Sequence, residues 1–275
     1  FNGKTRYYLS KLYGNGISVI IIVFFIISYG VWNAVNPIVT NYNINTYKNA
    51  GKINSLSIVM VADMHMGISV RENGIDKMVT NINKLNPDIV FFCGDLVDES
   101  TPTKLKVYAG TAFKKIKSKY GVYAVTGNHG YLSKNLQETI NYLTAANVHV
   151  LQDQTVKINN SFYVIGRNDI SSPRITKHPV KPLNELLKNV DTSLPLIVLN
   201  HQPVNLQEPE QQFIDLQLSG HTHKGQFFPG NLITNLIYDD DYGYLKKNNF
   251  NLIVTSGYGT WGPPIRIGTS SEIVH

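Results

Sequence analysis

Cysteine is almost absent: Cys93 stands alone in 275 residues. A disulfide framework within the chain and a cysteine-based zinc finger are excluded, and Cys93 reads as a small buried hydrophobe. Charge is also scarce. Asp, Glu, Lys and Arg make up 16%, against about 25% in an ordinary soluble domain, so part of the chain is expected not to face water. Acid is missing altogether from residues 1–52, which hold Lys4, Arg6, Lys11, Lys48 and Lys52. These five cations account for most of the net charge of +6. Everything after them is nearly neutral, which excludes a nucleic-acid footprint there. No P-loop, G-x-S-x-G nucleophile elbow, internal repeat or low-complexity tract occurs. With 43% hydrophobic residues, the chain can build a substantial core, and disordered or collagen-like classes are excluded.

One long apolar run is present. Gly14 to Val35 has no charged residue, and a helix of ~20 such residues crosses a bilayer core. Tyr13 and Trp32 bracket it, about 28 Å apart at helical rise. Tyr7, Tyr8, Tyr13, Tyr29 and Trp32 would form the interfacial belts. A cleaved signal peptide would need a small-x-small site after the run, and none stands near Tyr29–Val35. Lys4, Arg6 and Lys11 crowd the N-terminal flank, whereas Lys48 is the nearest cation on the other side. The positive-inside tendency then places the N-terminus in the cytoplasm and the rest outside the cell membrane. Residues 1–37 are read as flank and membrane helix, residues 38–275 as one catalytic domain. Phe1, standing where an initiator Met would, implies a start inside a longer protein.

After the run, Asn41–Tyr47 alternates like an exposed strand. Short apolar runs then recur: Ser55–Ala62, Ile89–Cys93, Gly121–Val125, Leu196–Leu199 and Leu216–Leu218. Helical spacing separates the earlier ones, over Gly74–Leu85, Leu105–Lys117 and Leu136–Ala145. Thr155–Ile158 and Phe162–Gly166 read as a hairpin. The expected fold is α/β, with two packed mixed sheets flanked by helices, the later strands more antiparallel.

Chemistry gathers where these runs end. They are followed at once by Asp63-x-His65, Asp95, Asn128-His129, His201 and His221-x-His223. In open α/β sheets, ligands sit beyond the carboxyl ends of strands. Imidazole, carboxylate and amide oxygen suit zinc, iron or manganese. The donors exceed what one tetrahedral ion needs, so two divalent ions are the natural reading, with a carboxylate bridging them and a phosphoryl group between. His149, His178 and His275 lie away from this pattern and read as structural. Gly257-Tyr-Gly-Thr-Trp-Gly262 matches a dinucleotide pattern, but Pro263-Pro264 forbid the helix it needs, so it reads as a loop near the site rim. Asp239-Asp-Asp241 reads as a solvated turn.

In this order Asp63-Met-His65, Gly94-Asp95-Leu-Val-Asp98, Gly127-Asn128-His129, His201 and Gly220-His221-Thr-His223 resemble the calcineurin-like metallophosphoesterases. Residues 40–275 are covered, and Gly257–Arg266 with Gln226 looks like the membrane-anchored bacterial branch. The resemblance implies one metal on Asp63, His65 and His223, a second on Asn128, His201 and His221, and Asp95 between them. It implies that His129 serves the substrate, with Asp98 behind the ligands. Gly130 replaces the family's usual carboxylate after the Gly-Asn-His, which leaves two readings: looser orientation of His129, or support from another acid such as Asp98. Lys224 replaces a common Gly, which leaves two readings: a positive charge serving the substrate beside the last His pair, or a side chain that points to solvent. Glu99-Ser100 replace the Arg-Gly of protein phosphatases, which counts against that activity. The family chain usually runs a few residues past Glu272-Ile-Val.

The expected activity is a membrane-tethered hydrolase of a phosphodiester or pyrophosphate, on a substrate open to being lipid-linked. The alternatives are a UDP-2,3-diacylglucosamine hydrolase-like enzyme, which needs the opposite topology, and a non-catalytic binding module, which should have lost metal ligands.

Overall fold

The computed structural model describes residues 3–14, 16–132 and 136–275. It opens with helices α1 (Gly3–Gly14) and α2 (Ile17–Val35) and strand β1 (Ile38–Thr40). Then follow β2 (Ile58–Val61), α3 (Glu72–Lys84), β3 (Ile89–Cys93), α4 (Thr103–Phe113), β4 (Val122–Val125), α5 (Asn128–Leu132), α6 (Leu136–Ala145) and β5 (Val148–Val150). The second half runs β6 (Gln154–Ile158), β7 (Phe162–Gly166), α7 (Pro173–Thr176), α8 (Leu183–Leu186), β8 (Leu196–Leu199), α9 (Gln207–Gln211) and β9 (Leu216–Ser219). It ends with α10 (Gly230–Ile237), β10 (Gly243–Lys247), β11 (Phe250–Val254) and β12 (Glu272–Val274).

The strands form two six-stranded sheets, ordered β1-β12-β2-β3-β4-β5 and β10-β11-β9-β8-β7-β6. Side chains alternate faces along a strand, and this builds four layers. Met60, Ala62, Phe91 and Cys93 point between the sheets, against Val164, Leu199, Leu218 and Ile253. Their neighbours Val59, Val61, Val90 and Phe92 point the other way, onto Ile75, Met78 and Ile82 of α3 and Phe113 of α4. Ile165, Val198 and Val254 turn outward to meet Leu183, Leu187 and Leu206. Ile75, Met78, Val79 and Ile82 recur at helical spacing, and all four are buried. The α3 helix stops where Asn86 takes a left-handed φ of 48° before Pro87, a common helix ending.

Two expectations are corrected. The later strands are mostly parallel: β7–β8, β8–β9 and β9–β11 pair that way, and in the second sheet only the edge pairs β6–β7 and β10–β11 are antiparallel. Parallel strands are covered on both faces, and Leu196–Leu199 is buried throughout. Asn41–Tyr47 is not a strand. Pairing ends with β1, and the segment runs on as a strap fastened by Tyr42 N–H to His275 C=O at 2.8 Å and Thr46 Oγ1–H to Asp215 at 2.6 Å.

The α2 helix has 19 residues and a mean hydropathy of 2.2, long and apolar enough to cross a membrane. Trp32 lies at its domain end, 62% exposed; the side chain of Tyr13 lies outside the described residues. Only Gly30, Asn33 and Ala34 of α2 are buried, against the domain. Asn33 Nδ2 donates to the carbonyls of Arg266 (3.1 Å) and Thr269 (2.5 Å), Arg266 N–H donates to Gly30 C=O at 3.0 Å, and Lys77 Nζ donates to Val35 C=O at 3.1 Å.

Candidate active site

All eight candidate residues meet at one end of the sandwich. Asp63 and His65 follow β2, Asp95 follows β3, Asn128 and His129 open α5 after β4, His201 follows β8, and His221 and His223 follow β9. Each set comes from the carboxyl end of a strand, and the two sheets place those ends side by side. Asp63 ties them together by accepting His221 N–H at 3.0 Å on each carboxylate oxygen. Asp95 Oδ1 accepts His129 N–H at 3.0 Å.

The backbone bends hard to do this. Asp63, His65, Asp95, His221 and His223 all have φ between 44° and 74°, a region costing on the order of 1–3 kcal/mol per non-glycine residue. Glycine is required where backbone meets ligand. A Cβ on Gly127 would lie 2.1 Å from Asp95 Oδ1, and one on Gly220 would lie 2.3 Å from Asp63 Oδ2.

The donors fall into two sets. In the first, His65 Nε2 and His223 Nε2 stand 3.0 Å apart, with Asp63 Oδ1 3.7 Å from the latter. His65 is oriented by Asp98, whose Oδ1 lies 2.6 Å from Nδ1. Burial, then the nearby His65 and Arg266, hold His223 well below its ordinary pKa, so it is a neutral imidazole, the form that binds metal. In the second set, His201 Nε2 lies 3.0 Å from Asp95 Oδ2 and 3.1 Å from Asn128 Oδ1, while His201 Nδ1 lies 2.8 Å from Cys93 C=O. Burial opposes charge on His201, yet the Asp95 carboxylate overrides it and pushes the pKa up to about 10. Asp95 moves the opposite way: burial resists, and His201 pulls it well below the carboxylate range. His221 completes this set with Asp95 and His201; burial and the His201 charge push it down to about 4. Nitrogen and oxygen acceptors converging in buried space are a donor set that divalent cations take, and the residues present fit two such ions with Asp95 beside the second.

A cavity of about 420 Å³ opens over them, lined among others by Asp95, Asn128, His129, Phe227, Trp261 and Pro263. A larger one, about 690 Å³, lies under the 41–58 strap. Among the described residues, every group of three metal-capable side chains lies at the first cavity's end.

At both departures inside the motifs the structure favours the plainer of the two readings. His129 Nδ1 stands 3.6 Å from both Asp98 Oδ1 and Glu99 Oε2, so two carboxylates from the loop after β3 stand where one was expected after the Gly-Asn-His. Lys224 does not face the cavity: Nζ sits 4.0 Å from the Tyr242 ring centroid, a cation–π seat. Sequence reasoning missed Arg266 as a site residue. It is fully buried, donates to the carbonyls of Ser256 (2.5 Å) and Gly259 (2.7 Å), and reaches within 3.3 Å of His223 Nδ1. Its signal was available, as the only charge between Tyr258 and Ser271.

Residues 56–225 match the family model described as calcineurin-like phosphoesterase. The chain belongs to that family. This phosphoesterase is 34% identical over 239 residues to an uncharacterized metallophosphoesterase of Aquifex aeolicus, covering 86% of this chain and 89% of that one. It is 30% identical over 259 residues to a transmembrane protein with metallophosphoesterase domain from Danio rerio, covering 90% of this chain and 59% of that one. It is 25% identical over 279 residues to the UDP-2,3-diacylglucosamine pyrophosphatase LpxG of Chlamydia trachomatis, covering 81% and 84%. The matching proteins come from bacteria and animals alike.

Proposed function

We propose that this metallophosphoesterase is tethered to a membrane by α2 and hydrolyses a phosphodiester or pyrophosphate, with one divalent ion held by Asp63, His65 and His223, a second by Asn128, His201 and His221, and Asp95 shared between them. The observation that carries the reading is the pair of donor sets, Asp63, His65 and His223 in one and Asp95, His201 and His221 in the other, under one open cavity. Two ions bound there would acidify a water between them and polarise phosphoryl oxygens. The protein's own part is to hold the ligands, to keep His65 turned by Asp98, and to present His129 at the cavity wall. With Nδ1 facing Asp98 and Glu99, the other ring nitrogen of His129 is left for the substrate, where it gives a proton to the leaving group. No ligand of the family pattern is replaced, which favours an enzyme over a binding module. Similarity to LpxG supports a second reading, a lipid-linked pyrophosphate as substrate. Manganese, zinc and iron all suit the donors.

The test is Asp95→Asn. A neutral amide cannot bridge two cations, so the variant should stay folded and lose at least about a hundredfold in turnover. Metal analysis of the wild type should give about two ions per chain. Full activity with one ion or none ends the proposal.

A further inference from the structure

Helix α10 is turned inside out. Leu232, Ile233, Leu236 and Ile237 share one face at helical spacing and are 55%, 59%, 87% and 68% exposed. Its polar Thr234 points inward, donating to Asp241 Oδ2 at 2.5 Å. Just before it, Phe227 and Phe228 are also exposed, and Trp261 stands nearby at the cavity rim. No charged residue occurs from Phe227 to Tyr238, or from Gly257 to Ile265.

This face continues the region where α2 meets the domain. Ile265 and Ile267 crowd Gly30, where a Cβ would lie 2.6 and 3.1 Å from their side chains. The other edge of the same segment carries the aromatic pair: Phe228 N–H donates to Ile267 C=O at 2.8 Å, and Ile267 N–H donates to Gln226 C=O at 3.3 Å. One extended segment thus separates α2 from Phe227–Phe228. The exposed apolar face lies one segment away from α2, and Phe227, Trp261 and Pro263 line the cavity beside that segment.

We infer that α10, Phe228 and Trp261 form a membrane-docking face that lies in the bilayer surface from which α2 emerges, so that the active-site cavity opens at headgroup level onto lipid-linked phosphoesters. The inference rests on the proposed reading of α2 as a membrane anchor. A helix with one apolar face lies in the interface plane with that face about 5–10 Å into the headgroup boundary, and tryptophan favours that depth.

The experiment uses the full chain in phosphatidylcholine–phosphatidylglycerol vesicles. Nitroxide labels are placed on Ile233→Cys and Leu236→Cys, with Val107→Cys, an exposed position on α4, as the aqueous reference; the buried Cys93 is left in place. Collision with oxygen relative to a water-soluble nickel complex should be several-fold higher at 233 and 236 than at 107. Equal accessibility at all three overturns the inference. So does spin–spin broadening at 236 that vanishes on dilution with unlabelled protein, since a second copy would then cover the face. In a second arm, Ile233→Glu/Leu236→Glu should hydrolyse soluble ethyl nitrophenyl phosphate within twofold of wild type, but vesicle-embedded hexadecyl nitrophenyl phosphate at least tenfold more slowly. An equal loss on both esters, or none on either, rejects the membrane role. A wild type that cleaves neither ester with manganese, zinc or iron defeats the phosphoesterase proposal instead, while the label depths still decide the docking face.

Discussion

His129 meets two carboxylate oxygens through one nitrogen, at 3.6 Å each, and neither acid lies in its own motif. The usual acid at the next position is replaced by Gly130 in α5, and Asp98 and Glu99 on the loop after β3 face His129 Nδ1 without a hydrogen bond to it. Lys224, by contrast, spends its charge on Tyr242. The expected kinetics separate the two. His129→Ala should lower turnover about 10²–10⁴-fold on phosphodiesters with poor leaving groups, and much less on nitrophenyl esters, which leave without a proton. Lys224→Ala should leave the whole series within about twofold, because a residue turned from the cavity cannot stabilise charge inside it. Rates across graded leaving groups check both, and a Lys224 effect as large as that of His129 would reverse the assignment. Asp240 gives a pH signature. Burial, then the neighbouring Asp241, pushes its pKa up to about 6, and its Oδ2 is buried without a hydrogen-bond partner. A carboxyl raised on folding favours the folded state while protonated, and that contribution is lost as pH rises through 6. Asp240→Asn should therefore melt higher than wild type at pH 8 and match it at pH 4. Equal melting curves at both values would show that the acid is free of strain.

At the scale of elements, the junction between α2 and the 265–271 segment sets the geometry. Asn33 is a buried polar residue in a mostly apolar helix, and its amide donates to two carbonyls of that segment. Arg266 sits in the same segment, with its backbone bonded to Gly30 and its guanidinium beside His223. The apolar helix α2 and the candidate metal ligand His223 are thus bridged by one residue, Arg266. Asn33→Leu keeps the volume and removes both donors, leaving buried carbonyls unpaired at about 1–3 kcal/mol. The expected outcome is a lower melting temperature in detergent micelles. An unchanged melt would mean that α2 and the domain are energetically independent. Nothing in the local spacing announced this joint, since Asn33 and Arg266 are 233 positions apart.

Over the whole molecule, charge and hydropathy divide by region. Cations without acids flank the start of α2, whereas the domain beyond it is close to neutral. If Lys4, Arg6 and Lys11 hold their side of the bilayer, a reporter fused after Val274 should read as extracytoplasmic. A cytoplasmic signal would invert the topology and favour the pyrophosphatase reading. Breadth of relatives does not narrow the substrate: the chain spans 89% of the Aquifex protein but 59% of the zebrafish one.

Local sequence order determines much of this molecule. Burial on both faces demands continuous apolar residues, so β3, β4 and β8 were visible as runs, and α3 was visible from Ile75, Met78, Val79 and Ile82. The candidate ligands were legible because each follows such a run directly, and a strand end projects its next residues into the space beyond the sheet. Strand direction in the second sheet was not legible, because buried parallel strands and short antiparallel ones share one composition. The orientation of Lys224, the carboxylates behind His129, the left-handed turns at Asp63 and Asp95, and the burial of Arg266 are all contacts between distant segments. They depend on which loop packs over which, and only the folded chain brings those loops together.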